Sequence, residues 1–119
     1  MEILKLSEVP KKAHVTPLFT SPDVTDQSFF GEGKDLRIGI VNFGRGVRNK
    51  WHTHSGDQIL IVTEGKGLVM TDGEKREVTV GDAIFIPAGE KHWHGATPDS
   101  TFSHITVQIA ANQMTQLEA

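Results

Sequence analysis

From Asp35 onward, glycine recurs at Gly44, Gly46, Gly56, Gly65, Gly67, Gly73, Gly81 and Gly89, and the runs between are short and rich in Val, Ile, Phe and Thr. Short β-branched and aromatic runs bounded by turn formers imply an all-β fold. Strands are expected over Arg37–Phe43, Asn49–Thr53, Gln58–Glu64, Gly67–Thr71, Lys75–Val80, Ala83–Ile86, His92–Ala96 and Thr101–Ala110. Asp72-Gly73 is read as a type I′ hairpin turn, because that pair readily takes positive φ. Val80-Gly81-Asp82 and Pro87-Ala88-Gly89 are read as further turns. Antiparallel strands this short and this close together suit a small barrel or two-sheet jelly roll.

A chain of 119 residues fits one domain with room for one interior site. Residues 1–34 hold three of the five prolines and read as an N-terminal arm with one or two edge strands. The barrel is expected over 35–111, and 112–119 form a C-terminal tail in which Asn112 to Leu117 are read as a short helix. The net charge of -3 comes without a basic block, so nucleic acid is not expected as a partner. Apolar runs are far below the roughly 20 residues of a membrane span, and no signal-peptide core is evident, which points to a cytoplasmic protein without membrane attachment. Cysteine is absent, so thiolate ligands and disulfides are excluded and any metal must be held by nitrogen and oxygen.

Side chains two apart on a strand share a face, so His52 and His54 project into the same space. Such a pair alone is common on half-buried strands. Here it is followed by the tight turn Ser55-Gly56-Asp57 and by Gln58, which opens a strand able to present its carbonyl oxygen toward the imidazoles. Gly81, Pro87, Gly89 and His92 then set a strand, a rigid turn and a returning strand with a third imidazole. Three neutral nitrogens and one amide oxygen make a ligand set for a first-row divalent ion with open positions. Because imidazoles must be deprotonated to bind, ordinary histidines would release the ion below about pH 6.

The stretch Gly46-x-x-x-x-x-His52-x-His54-x-x-x-Gln58-x-x-x-x-x-x-Gly65 resembles the first motif of the cupin superfamily, and Gly81-x-x-x-x-x-Pro87-x-Gly89-x-x-His92 resembles the second. The resemblance implies a cupin-type antiparallel β-barrel, a jelly roll or double-stranded β-helix. It also implies one divalent ion per chain on His52, His54, Gln58 and His92: manganese first, with iron, nickel, cobalt or zinc open. Two positions depart from the usual pattern. Gln58 stands where most cupins have a glutamate ligand, and Ala96 where an asparagine usually closes the second motif.

Four neutral ligands leave the full +2 charge on the ion, which strengthens its Lewis acidity and makes its oxidation harder. That balance favours lyase or isomerase chemistry over oxygenation. His94 shares the face of His92, while Phe102, His104, Thr106 and Gln108 share one face of the last long strand. His94 and His104 are therefore the candidate catalytic groups, as proton acceptors for a small-molecule substrate. The segments around Trp51-His52-Thr53-His54, Gln58 and Lys91-His92-Trp93-His94 resemble small bacterial cupins that include manganese-dependent hydroxynitrile lyases. This resemblance implies cleavage of a cyanohydrin to an aldehyde and cyanide. A cupin dioxygenase and a non-catalytic small-molecule-binding module are the alternatives. Arg45 and Arg48 are read as loop charges, Trp51 and Trp93 as core or rim aromatics, and His14 as a surface residue. Phe29 and Phe30 in the arm, together with the resemblance, imply a homodimer.

Overall fold

The structure, a computed structural model, describes residues 1–31 and 35–119. The boundary drawn between arm and barrel at residue 34 adjoins residues 32–34, which lie outside the described residues. After a single 3-10 turn at Leu6–Glu8 the described chain runs through β1 (Lys12–Ala13), β2 (Val24–Phe29), β3 (Leu36–Phe43), β4 (His52–His54) and β5 (Gln58–Thr71). It continues through β6 (Lys75–Thr79), β7 (Ala83–Ile86), β8 (His92–Ala96), β9 (Phe102–Ile109) and β10 (Met114–Gln116). The main path is β1-β2-β3-β9-β5-β8-β4-β10, with β6 and β7 also paired to β5. All these pairings are antiparallel.

β5 organises the barrel. Its first half pairs with β9 and β7, and its second half with β8 and β6. The two strands expected over Gln58–Glu64 and Gly67–Thr71 are thus one continuous strand. The junction glycines bend it without ending it. Gly65 has φ 69°, and a Cβ there would collide with the Thr101 carbonyl; one at Gly67 would run into the Phe102 ring. The ladder to β9 shifts register between Val62 and Glu64, the local irregularity by which a strand turns from one sheet into the next.

Other expectations change at the edges. The Asp72-Gly73 hairpin forms between β5 and β6, but neither residue has positive φ. A three-residue connection, Asp72 to Glu74, spanned by the Thr71 N–H bond to the Glu74 carbonyl (2.9 Å), replaces the type I′ turn. The short helix expected at Asn112 to Leu117 is instead β10, registered against β4 with Met114 opposite His54 and Gln116 opposite His52. β4 shares only one register pair with β8, so its other edge has unmet backbone groups that a strand satisfies and a helix would not. The arm supplies β2 along β3 from Ile38 to Phe43, and buries Phe19, Val24 and Phe29, whereas Phe30 is exposed.

The core is aromatic and branched aliphatic: Phe19, Phe43, Val62, Val69 and Phe102 pack together. Phe43 stacks on Phe102 at 6.0 Å and reaches His94 and His104 at 5.9 and 5.8 Å, so the apolar core is also the floor beneath the histidines. Gly65→Ala should cost about 2–4 kcal/mol in a denaturant titration, through backbone strain and the overlap with Thr101. Gly73→Ala, with open space around its Cβ position, should stay within about 0.5 kcal/mol of the parent.

Candidate metal centre

Strand register assembles the centre. β4 and β8 meet with His52 opposite His92, and the period of two brings His54 to the same side as His52. β5 alternates so that Gln58, Leu60 and Val62 point inward, and β9 lies beside it with Gln108 opposite Gln58 and His104 opposite Val62. The turns carrying the two halves are tied together: Gly89 N–H donates to the His54 carbonyl (2.9 Å) and Ala88 N–H to Asp57 Oδ1 (2.9 Å). Gly89 has φ 81°, which suits the glycine there.

One ring nitrogen from each of His52, His54 and His92 lies within 4.8 Å of the others. Nitrogens about 2.0–2.1 Å from a shared ion fall inside that limit, so the three can serve one ion. Two rings are already set for it. His52 Nδ1 lies 2.6 Å from the Lys50 carbonyl and His92 Nδ1 2.8 Å from the Glu90 carbonyl; carbonyls accept only, so Nδ1 carries the proton and Nε2 keeps its lone pair. His54 differs, with Nδ1 3.0 Å from Asn112 Nδ2. His54 Nε2, His92 Nε2 and Gln58 Oε1 are buried without a hydrogen-bond partner among the described residues. Buried polar atoms are rarely left so, and the residues present fit a divalent ion bound by His52, His54, His92 and Gln58.

Burial keeps these rings uncharged. It lowers His52 to about 3, helped by neighbouring His92 and opposed by the Lys50 carbonyl, and lowers His54 to about 4, again with His92 contributing. His92 is also lowered by burial, against the Glu90 carbonyl bond and carboxylate. The other two imidazoles line the neighbouring cavity, of about 520 Å³. His94 is pushed well below its ordinary value by burial and by His104, and His104 is lowered by burial to about 4.

His94 N–H donates to Asn49 Oδ1 (2.8 Å), which fixes the Asn49 amide so that its Nδ2 donates to His94 Nε2 (3.1 Å). The His94 proton therefore sits on Nδ1, a buried donor without a partner among the described residues. His104 has Nδ1 beside Thr106 Oγ1 (3.1 Å) and Nε2 unpartnered. Val41, Phe43, Leu18, Phe19 and Met114 add apolar wall.

Several residues depart from their sequence reading. His14 is not a plain surface residue: it lines the cavity, edge-on to Phe19, with Nδ1 3.0 Å from Asp26 Oδ2. Arg48 is not a free loop charge, because it forms a two-pronged ion pair with Glu118 and lies 4.7 Å from the Trp93 ring centre. Trp51 and Trp93 meet edge to face. Asn49 and Asn112 had no signal in the sequence, since their roles arise from contacts across 45 and 58 positions.

The cupin domain family matches residues 39–107, a stretch holding all four candidate ligands. This chain belongs to the cupin family. The cupin is 38% identical over 96 residues to (R)-mandelonitrile lyase of Granulicella tundricola, covering 79% of this chain and 66% of that protein. It is 33% identical over 66 residues to a dimethylsulfoniopropionate lyase of Ruegeria pomeroyi, covering 56% of this chain and 43% of that one. The chain thus spans just under two thirds, and under half, of these relatives' lengths. Among solved structures, a cupin-like protein of Thermotoga maritima superposes with a TM-score of 0.84 at 30% identity, over 100% of this chain and 90% of its own. The antiparallel barrel expected of a cupin is the fold observed, and the cupin is related to hydroxynitrile lyase-like members.

An imidazole whose folded pKa lies below its unfolded value near 6.5 binds fewer protons in the folded state, so stability rises with pH between the two values. For His52 and His54 that window runs from about 3 or 4 up to 6.5. The metal-free protein should therefore melt lower at pH 5 than at pH 7.5, by up to about 1.4 kcal/mol per imidazole for each pH unit below 6.5. Because protons compete with the ion only near those lowered values, a bound divalent ion should survive to about pH 5, below the limit near 6 set by ordinary imidazoles. Melting curves and metal analysis after dialysis at each pH check both; ion loss already at pH 6 would contradict the lowered values.

Proposed function

We propose that this cupin is a divalent-metal-dependent lyase acting on a small hydroxy compound, with a hydroxynitrile as its substrate class. One observation carries the reading: buried, unpartnered atoms of His54, Gln58, His92, His94 and His104 converge on one region beside an apolar-walled cavity of about 520 Å³. That volume accommodates a small aromatic or aliphatic molecule. The similarity to mandelonitrile lyase supports the substrate class.

A bound ion, manganese in this proposal, supplies Lewis acidity that lowers the pKa of a coordinated hydroxyl. The chain's own residues then divide the work. His52, His54, His92 and Gln58 hold without adding negative charge. His104 Nε2, with Nδ1 turned to the Ile105 carbonyl (3.4 Å) and the Thr106 hydroxyl (3.1 Å), accepts the substrate hydroxyl proton. As the carbonyl double bond forms, the bond to the nitrile carbon breaks and its electron pair leaves with cyanide. His94 Nδ1–H, held as a donor by Asn49, stands ready to bond the departing anion. His94 thus acts as a donor in this scheme, and His104 as the acceptor.

Purified protein should contain about one divalent ion per chain and release benzaldehyde from mandelonitrile, followed by absorbance. His104→Ala should reduce kcat at least about 100-fold with metal content unchanged. Oxygen uptake with an enediol, without mandelonitrile cleavage, would replace the lyase by a dioxygenase; turnover indifferent to His94→Ala and His104→Ala would favour a binding module.

The proposed assembly is a homodimer. Alternation along β5 turns Ile59 and Ile61 outward, opposite Phe85 and Ala83 of β7, and Ile59, Ile61 and Phe85 are exposed. Apolar side chains grouped on an open sheet face favour a partner surface. Phe29 contributes nothing to it, being packed inside its own chain. Light scattering behind size exclusion should give twice the 13.1 kDa chain mass, and a monomer would refute the dimer.

A further inference from the structure

The two ends of a glutamine amide are almost the same size, so shape alone does not decide whether Gln58 offers oxygen or nitrogen to an ion. The hydrogen bonds around it do. Gly56 N–H, a backbone group that can only donate, lies 3.0 Å from Asn112 Oδ1 and fixes that amide with its nitrogen turned away. Asn112 Nδ2 donates to Gln108 Oε1 at 2.9 Å, which fixes Gln108 in turn. The same Gln108 oxygen accepts from Gln58 Nε2 at 3.2 Å. Gln58 Oε1 is then left buried and unpartnered among the described residues, in a side chain that lines the same cavity as His52 and His54. A direction set at the turn after His54 is passed through two amides to the fourth ligand.

We infer that Gln108 is a positioning residue that presents Gln58 oxygen-first to the ion. This rests on the metal-binding reading above and deepens it: the register that sets Gln108 opposite Gln58 builds the ligand's orientation into the sheet before an ion arrives. Asn112 Nδ2 also lies 3.0 Å from His54 Nδ1. Ligation through His54 Nε2 would put a proton on that Nδ1 and would end this one contact, while the Gly56 N–H bond to Asn112 Oδ1 would still hold the Asn112 amide in its direction. The Gln58–Gln108 pair does not include His54 and keeps its direction once Gln58 Oε1 is on the ion.

The test is a double-mutant cycle read as Mn²⁺ affinity by calorimetry, on protein whose fold is checked by circular dichroism. Wild type should bind one ion. Gln108→Met, close in size but lacking the accepting oxygen, should weaken binding about 10- to 100-fold. Gln108→Glu, which keeps an acceptor, should not weaken it. Gln58→Leu should also weaken binding, and Gln58→Leu/Gln108→Met should be no weaker than Gln58→Leu alone, because Gln108 acts only through Gln58. Wild-type affinity in Gln108→Met, or losses that add in the double variant, would overturn the inference while leaving the metal centre standing. Failure of folded wild type to bind Mn²⁺, Fe²⁺, Co²⁺, Ni²⁺ or Zn²⁺ would remove the metal centre itself, and the inference with it.

Discussion

The structure depends on keeping three imidazoles uncharged and correctly turned in a largely buried place, His52 and His92 fully and His54 partly covered. Desolvation does the first, holding His52 near 3 and His54 near 4. Backbone carbonyls do the second for His52 and His92, each ring being tied to the residue two positions before it on the chain. That local tie costs no long-range contact, so the strand that carries the ring also sets its tautomer. Neutral rings with free lone pairs fit a cation and have little use in an apolar core, where unpartnered nitrogens cost free energy.

Around that requirement the barrel reads as a means of bringing distant segments into register. β5 spans both sheets, so the strand that carries Gln58 into one also pairs with the strand of His92 and His94 in the other. Its bend at Gly65 lets one strand serve two neighbours on each side. The aromatic floor of Phe43 and Phe102 then sets the depth of the cavity and supplies the low-polarity surroundings that lower His94 and His104.

Much of this was legible in the sequence, because it follows from period and spacing. The pair two apart at His52 and His54, the glycine-rich turns and the shared face of Phe102, His104, Thr106 and Gln108 all translate directly into strand geometry. What was hidden depends on long-range partners. The 112–117 segment has nothing local to mark it as a strand, and pairs as one because β4 leaves an edge open. Asn49 became visible only when folding placed it beside His94, and His14 only when the arm brought it to the cavity wall. The Asp72-Gly73 turn shows the reverse limit: a residue pair that permits positive φ does not oblige it when the connection has three residues.

The latches between the Pro87–Gly89 turn and the segment after His54 join two stretches more than thirty positions apart by backbone and carboxylate hydrogen bonds. Neither loop can open alone without breaking them, so both halves of the ligand set belong to one cooperative unit. Their amides should then exchange with solvent deuterium at a common rate, and a ligand seated in the cavity should slow both loops together.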